Sequence, residues 1–466
     1  MSILKEECGV FGIWDPDGYC ANTTCNALVA LQHRGQEGCG IAVNKDREIS
    51  YYKDVGLVNE VFDREILDKY PGNMAVGHVR YSTAGGSARE NVQPLVLRYI
   101  KGTIAIAHNG NITNTEELKT GLEYNGAIFQ TTADSEIIAY QIARERIHSR
   151  SIEEAVKKTM HRLKGAFSIL VMSPQKLIAA RDPWGFRPLC MGKMENGAIV
   201  FASETTAFDA IGAEFIRDIE PGEVVTVFKG AIESEQVIEP GKTSLCIFEH
   251  IYFARPDSIV DGQAVHEARK MAGRFLAKQS PVEADIVIGV PDSGLSAAQG
   301  YSDESGIPLK MGFIKNKYIA RTFISPEQQL RQNAVKMKLN ALKSEVSGKR
   351  VIMIDDSIVR GTTSAHIVSL LREAGAKEVH VRISSPPFKW PCFFGTDVPT
   401  RDELIANHYD VSETSKYIGA DSLDYLSLEN LLKIAPHSTR DFCCACFTGH
   451  YPVDVSHLLA KLEGKK

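Results

Sequence analysis

Val351-Ile-Met-Ile-Asp-Asp-Ser-Ile-Val-Arg-Gly-Thr-Thr-Ser364 decides the fold of the second half of the chain. Its four apolar residues read as a buried strand. Two acids stand at the carboxyl end, where open α/β sheets place ligands. A Gly-Thr-Thr-Ser turn then opens a helix in which Ile367, Leu370, Leu371 and Ala374 recur at i, i+3, i+4 and i+7, and Gly375 stops it. Residues 379–384 form the next strand, so the unit is βαβ in a parallel sheet. Upstream, the apolar run 285–290 ends in Pro291-Asp292-Ser293-Gly294. Backbone N–H groups and the helix dipole at the 361–364 turn suit a phosphate, with the hydroxyls of Thr362, Thr363 and Ser364 as further donors. An acid pair against phosphate is costly, so Asp355 and Asp356 suit sugar hydroxyls or Mg²⁺ instead. A bare Asp-Asp is usually a solvated strand end; the whole string in strand–turn–helix context outweighs that reading.

The chain has 466 residues and a mass of 51.3 kDa, room for two or three domains at ~150 residues each. Apolar residues at 44% against 24% charged exclude wholesale disorder. Fifty-three basic and 58 acidic residues leave a formal charge of −5, so nothing draws the whole chain to nucleic acid. No apolar run approaches the ~18 residues of a membrane span, and Met1-Ser-Ile-Leu-Lys-Glu-Glu-Cys8 has no secretory h-region. A cytoplasmic location is expected, with the ten cysteines catalytic, metal-binding or buried rather than paired.

The first half reads as strands at 10–14, 74–81, 104–108, 167–172, 177–180 and 198–202. Helices are expected at 135–147, with Asp134 as N-cap, and at 152–164, with Gly165 as the stop. Clustered strands beside adjacent helices predict a layered sheet-and-helix domain. Pro-Gly punctuation at 221–222 and 240–241 places the boundary near residue 240. The polar stretch 321–344 reads as a long mobile loop or loose helix.

The 351–364 string resembles the 5-phosphoribosyl-1-pyrophosphate (PRPP) motif of type I phosphoribosyltransferases. The resemblance implies Asp355 and Asp356 on the ribose hydroxyls and Mg²⁺, Arg360, Gly361, Thr362, Thr363 and Ser364 on the 5′-phosphate, and residues 289–294 as the pyrophosphate loop, with Ser293 a partner of the metal. Five ordered stretches in the first half resemble the glutaminase domain of the N-terminal nucleophile hydrolases: Cys8-Gly-Val-Phe-Gly-Ile-Trp14, Leu31-Gln-His-Arg-Gly-Gln-Glu-Gly38, Gly77-His-Val-Arg-Tyr-Ser-Thr83, Ala107-His-Asn-Gly-Asn-Ile112 and Thr131-Thr-Ala-Asp-Ser-Glu136. That implies an αββα domain over residues 8–240. A lone Cys near a terminus is more often a small buried hydrophobe; with the other four stretches, Cys8 reads as the nucleophile. No His-based triad is evident beside it. Cutting after Glu7 gives Cys8 a free α-amine, whose pKa of ~7.7–8.0 suits a general base at neutral pH. Residues 1–7 then read as a propeptide. The resemblance assigns the oxyanion hole to Asn109 and Gly110, the glutamine α-carboxylate to Arg80 and its α-ammonium to Asp134. Thr83 and Gly35 are further glutamine-site candidates.

Cys443-Cys-Ala-Cys446 contains a C-x₂-C, which alone is ambiguous among zinc, iron–sulfur and a redox pair. Cys246 and Cys392 bring the total to four thiolates. Ser244-Leu-Cys-Ile-Phe-Glu-His-Ile-Tyr-Phe-Ala-Arg-Pro-Asp257, Pro386-Pro-Phe-Lys-Trp-Pro-Cys392 and Cys446-Phe-Thr-Gly449 resemble the iron–sulfur branch of the glutamine PRPP amidotransferase family. That resemblance covers nearly the whole chain. It implies a [4Fe–4S] cluster on Cys246, Cys392, Cys443 and Cys446, with Cys444 an alternative ligand. It also implies a type I phosphoribosyltransferase domain at 241–466, a homotetramer, and feedback inhibition by purine nucleotides. The expected reaction converts glutamine, PRPP and water to 5-phosphoribosylamine, glutamate and pyrophosphate, opening purine synthesis. Residues 318–339, with Arg321, Arg331, Lys336 and Lys338, are a candidate lid. The alternative reading is a PRPP-binding regulatory protein with a degenerate glutaminase domain, against which no DNA-binding module is visible. A sugar-isomerase synthase half is disfavoured by the 351–364 string, and a redox role for the cluster by the absence of flavin or nicotinamide fingerprints.

Overall fold

The computed structural model of the chain describes residues 8–81, 89–316, 339–396, 398, 400–462 and 464. The propeptide candidate 1–7, Thr83 and lid residues 318–338 lie outside them.

Strands buried on both faces at their centre build two antiparallel sheets in the first half. The first has seven strands, in the order Ala213–Asp218, Cys190–Met194, Ile199–Ala202, Gly9–Trp14, Met74–Arg80, Gly38–Lys45, Glu48–Val55. The second has six, in the order Ala231–Gln236, Glu223–Phe228, Lys176–Arg181, Gly165–Met172, Gly102–Ile112, Leu95–Tyr99. Val10, Val76 and Met74 of the first face Ala105, Ala107 and Leu170 of the second across one core. On the opposite face of the first sheet, Phe11, Ile13 and Val79 pack against Leu28 of the Cys20–Ala30 helix. On the outer face of the second, Ile106, Ile169 and Val171 meet Ile138, Ile142 and Val156 of the helices Asp134–His148 and Ile152–Met160. The result is the four-layered αββα arrangement expected.

Three local expectations change. Asp134 is the first residue of its helix and Ala133 is the cap, because the Asp134 carboxylate reaches across to the backbone of Ile112. The following helix ends at Met160, not at Gly165; the intervening turn is pinned when Thr113 N–H donates to Lys164 O at 2.7 Å, and Gly165 opens the next strand. Within 321–344, Leu339–Ala341 is a strand paired with Phe313–Lys315, and Lys343–Val346 is a short helix; burial of Phe313 and Leu339 outweighs the polar surroundings.

The second half carries a parallel sheet in the order Ile286–Gly289, Arg350–Asp355, Glu378–Ile383, Ser422–Tyr425. Residues buried on both faces explain its unbroken apolar runs. Val287, Ile352 and Ile354 pack under the helices Val265–Gln279 and Gly294–Ser305. Ile288, Val351 and Met353 pack under Thr362–Glu373, with Ile418 of Val411–Ile418 beside them.

The two halves meet across a seam of buried charge. Arg34 makes a bidentate pair with Glu249, both bonds 2.9 Å, and a bond of 2.5 Å to Glu204. Arg187 Nη1 stands 3.5 Å from the same Glu249. All four side chains have no solvent exposure. Burial would push the Glu204 carboxyl up, but His33 and Arg34 outweigh it and hold it well below the carboxylate range. Glu249 comes from the second half, in the Glu249–Phe253 segment, and the other three from the first. The C-terminal tail also returns to the first half: His457 Nε2 lies 3.2 Å from Thr113 O.

Candidate functional site

Cys8 stands one residue before the Gly9–Trp14 strand and is half-buried. Its thiol donates to Tyr81 O at 3.4 Å, and its carbonyl accepts from Arg34 Nε at 3.1 Å. Pairing of Gly9 with Val79 brings it beside the end of the Met74–Arg80 strand. Arg80 there is 3% exposed; burial lowers its proton affinity, while Cys8, Glu37 and Asp134 raise it. A guanidinium among these groups is placed to take a carboxylate bidentately. Gly35 lies directly against it: a β-carbon there would meet the Val79 and Arg80 backbone at 2.6–2.7 Å.

Asn109 and Gly110 lie in the Gly102–Ile112 strand of the other sheet. The two sheets are tied at this end by His78, whose Nε2–H donates to His108 O at 3.1 Å. Burial pushes the His78 imidazole down to about 3, so it is a neutral strut rather than a base. Asn109 is 1% exposed, and its Nδ2 has no hydrogen-bond partner among the described residues. An unmade buried donor costs ~1–3 kcal/mol, a cost that a catalytic site offsets when the donor faces a developing oxyanion. Gly110 has φ +138°, and a β-carbon on it would lie 2.3 Å from Ala166 O, so no other residue fits this strand. Asp134 is tied to the same strand: Ile112 N–H donates to it at 3.0 Å, and His108 Nδ1 lies 3.5 Å away. Burial raises its carboxyl, but His108 and the hydrogen bonds outweigh that, keeping it ionised below its usual range. Nearby Glu136 accepts from the N–H groups of Gln130 and Thr131, so in the Thr131–Glu136 stretch this acid staples a loop.

In the second half, Asp355 ends its strand and Asp356 follows, both 1% exposed. Ser293 Oγ donates to Asp356 at 2.5 Å, Ser357 donates to its other oxygen, and Asp356 N–H donates to Asp355 at 2.9 Å. Burial pushes both carboxyls up, and for Asp355 the neighbouring Asp356 adds to the effect. Such a pair attracts a cation or shares a proton. That donor set, two carboxylates and a hydroxyl, suits Mg²⁺. The 289–294 loop closes over it: Val290 N–H donates to Ile354 O at 2.9 Å. Gly361, at φ +81°, precedes the Thr362–Glu373 helix, which no side chain caps. Ser364 is buried in its first turn, whereas Thr362 is exposed. Arg360 is turned to Glu403, with bonds of 2.9 and 2.6 Å, so its guanidinium is engaged away from the turn.

Cys246, Cys392, Cys443 and Cys446 line one small space of about 20 Å³ at the seam, walled by Phe248, Phe388 and Phe394. Backbone pairing brings the segments together: Cys246 is in register with Cys443, and Lys389 and Trp390 N–H donate to Cys446 O at 3.0 Å. Cys444 is not among the lining residues. Among the described residues no three His, Cys, Asp or Glu side chains converge on a position for a single metal ion. Four thiols around one apolar space are a donor set enough for zinc or for a cubane.

Residues 78–210 match the glutamine amidotransferase domain family, and residues 257–384 the phosphoribosyl transferase domain family. The chain is 50% identical over 457 residues to the amidophosphoribosyltransferase of Bacillus subtilis strain 168, covering 97% of this chain and 95% of that protein. It superimposes with a TM-score of 0.90 at 49% identity on the B. subtilis glutamine PRPP amidotransferase complexed with ADP and GMP, covering 96% and 98% of the two chains. A solved structure described as the allosteric regulatory enzyme of purine biosynthesis gives a TM-score of 0.91 at 49% identity, covering 96% and 97%. This chain belongs to the amidophosphoribosyltransferase family. An amidophosphoribosyltransferase combines a glutaminase half and a phosphoribosyltransferase half in one enzyme, and the two site regions above divide between those halves. Sequence reasoning left out Arg34, Glu37, His78, Arg187, Glu204 and Glu249. Arg34, Glu37, His78 and Glu249 stood inside the family-like stretches; His78 and Glu249, as polar residues in apolar runs, carried the only local signal.

Replacing Asn109 with Ala is expected to lower glutamine hydrolysis by ~10²–10³ in kcat, with little change in KM for glutamine, measured by glutamate release. A kcat within threefold of wild type contradicts an oxyanion role.

Proposed function

We propose that the chain makes 5-phosphoribosylamine from glutamine, PRPP and water as the first committed step of purine synthesis, with Cys8 as an N-terminal nucleophile. The observation that carries this reading is the buried Asn109 Nδ2, without a hydrogen-bond partner among the described residues, on a strand that His78 ties to the sheet bearing Cys8 and Arg80. A regulatory protein with a degenerate glutaminase domain has no use for such a donor.

In the proposed sequence, removal of residues 1–7 frees the Cys8 α-amine, which takes the thiol proton. The thiolate attacks the glutamine carboxamide carbon, and the oxyanion is held by Asn109 Nδ2–H and Gly110 N–H. Arg80 and Asp134 hold the α-carboxylate and α-ammonium. Collapse expels ammonia with the proton returned from the α-ammonium of Cys8, and water releases glutamate from the thioester. Ammonia crosses the seam and attacks C1 of PRPP, and pyrophosphate leaves. Gly361, Thr362, Thr363, Ser364 and the backbone of Arg360 are assigned to the 5′-phosphate. Asp355, Asp356 and Ser293 are assigned to the ribose and to Mg²⁺, which when bound neutralises charge on the departing pyrophosphate. Cys246, Cys392, Cys443 and Cys446 are assigned to a [4Fe–4S] cluster, which when bound joins three distant segments and so supplies folding energy. A homotetramer inhibited by purine nucleotides is part of the same reading; the B. subtilis protein was solved with two such nucleotides. Among the described residues no helix is long and apolar enough to cross a membrane, in keeping with a cytoplasmic location.

The test separates the half-reactions. Purified active enzyme should begin at Cys8 by N-terminal sequencing. Cys8→Ala should lose glutamine-dependent pyrophosphate release and keep the ammonia-dependent reaction, whereas Asp355→Asn should lose both. Full activity with residues 1–7 attached, or loss of both reactions in folded Cys8→Ala, overturns the assignment.

The cluster has its own measurement, iron and sulfide per chain in anaerobically purified protein. Cys392→Ser should yield little iron and little soluble protein, and Cys444→Ser should retain wild-type iron. Retention of iron by Cys443→Ser with loss in Cys444→Ser reverses the ligand assignment.

A further inference from the structure

We infer that the 392–396 loop of the second half is a positioning wall for the oxyanion strand of the first, and that Asn111 is the positioning residue that holds the two together. The inference rests on the oxyanion reading of Asn109 and Gly110. It adds a contact from a part of the chain that neither domain family covers, since their matches end at residues 210 and 384.

The contact is made at the catalytic residues themselves. Asn111 Nδ2–H donates to Phe393 O at 2.9 Å, across 282 positions of sequence. Two residues further on, Gly395 lies flat against Gly110. A β-carbon at Gly395 would stand 3.3 Å from the Gly110 carbonyl carbon and 3.4 Å from its Cα. The other side of Gly110 is closed by the Ala166 backbone. The strand therefore sits between two backbones, with the glycine hydrogens as the only spacers. The loop is itself fixed from the first half: Arg187 donates twice to Phe394 O, at 3.1 Å from Nε and 2.7 Å from Nη2. Neither Asn111 nor Gly395 is assigned a contact with glutamine. Their leverage is geometric, since an N–H that must meet an oxyanion tolerates little displacement, and a shift of ~1 Å costs on the order of 10²-fold in rate.

Removing the strut should change kcat for glutamine without changing substrate affinity or the other active site. Asn111→Ala deletes the donor, and the milder Asn111→Asp keeps the shape while setting a carboxylate against a carbonyl. Both are expected to lower kcat for glutamine hydrolysis by ~10- to 100-fold, with KM for glutamine within twofold and ammonia-dependent pyrophosphate release at the wild-type rate. Gly395→Ala, whose methyl would stand 3.1 Å from Arg187 Nη2 and 3.3 Å from Gly110 and would strain a position at φ +116°, should lower glutamine kcat at least as far. Glutamine kcat within twofold of wild type in all three variants overturns the inference. If Asn109→Ala is then impaired in the same assay, the oxyanion reading stands and only the wall is wrong; if Asn109→Ala is also unimpaired, the oxyanion reading fails first. Parallel loss of glutamine- and ammonia-dependent activity in both Asn111 variants assigns the contact to folding and overturns positioning.

Discussion

Two arginines and two glutamates with no solvent exposure, Arg34, Arg187, Glu204 and Glu249, form the interaction on which the rest of this structure depends. Taking each ion out of water costs several kcal/mol, and only close, multiply bonded geometry offsets that cost. The geometry here is of that kind. Glu249 receives both arms of the Arg34 fork, and Glu204 takes further bonds from His33, Ser258 and the Arg255 backbone. Apolar packing tolerates sliding between domains; a buried bidentate pair does not. The network therefore fixes the relative placement of the halves more tightly than area alone.

Two regions hang from this frame. Arg34 holds the Cys8 carbonyl, and Arg187 holds the loop that carries Phe394 and begins with Cys392. Arg187 also lines the four-cysteine space, so that space, Cys8 and the Gly102–Ile112 strand are tied to one charge network. The acid pair at Asp355 and Asp356 follows a different principle. Its two carboxylates are buried with a serine on the outer oxygen, which favours a cation rather than a protein partner. The first half thus presents a buried amide donor and the second a buried carboxyl pair.

Much of this was legible in the sequence because it is local. The 351–364 string reads from strand to helix without reference to anything distant, and the apolar runs at 10–14 and 74–81 read as strands on their own. Cys8, Arg80, Asn109 and Asp134 were singled out only through the resemblance of short stretches to a known family. What was not legible is non-local. Arg34 lies 170 positions from Glu204 and 215 from Glu249, and Asn111 lies 282 from Phe393. No periodicity announces such partners, and a Glu in a mostly apolar stretch gives no sign of which arginine neutralises it. Asp134 shows the same limit at short range: an acid at a helix start predicts a cap, yet the carboxylate serves the neighbouring strand.

The most direct test of the account is equilibrium urea unfolding of Glu249→Gln beside wild type, followed by tryptophan fluorescence and far-UV circular dichroism. The substitution keeps shape and removes the carboxylate that Arg34 and Arg187 share, leaving Arg34 its bond to Glu204. Removing one partner of a buried ion network costs ~3–5 kcal/mol, so the midpoint should fall by that equivalent in both signals. A midpoint within ~0.5 kcal/mol of wild type would show that the seam does not depend on this charge network.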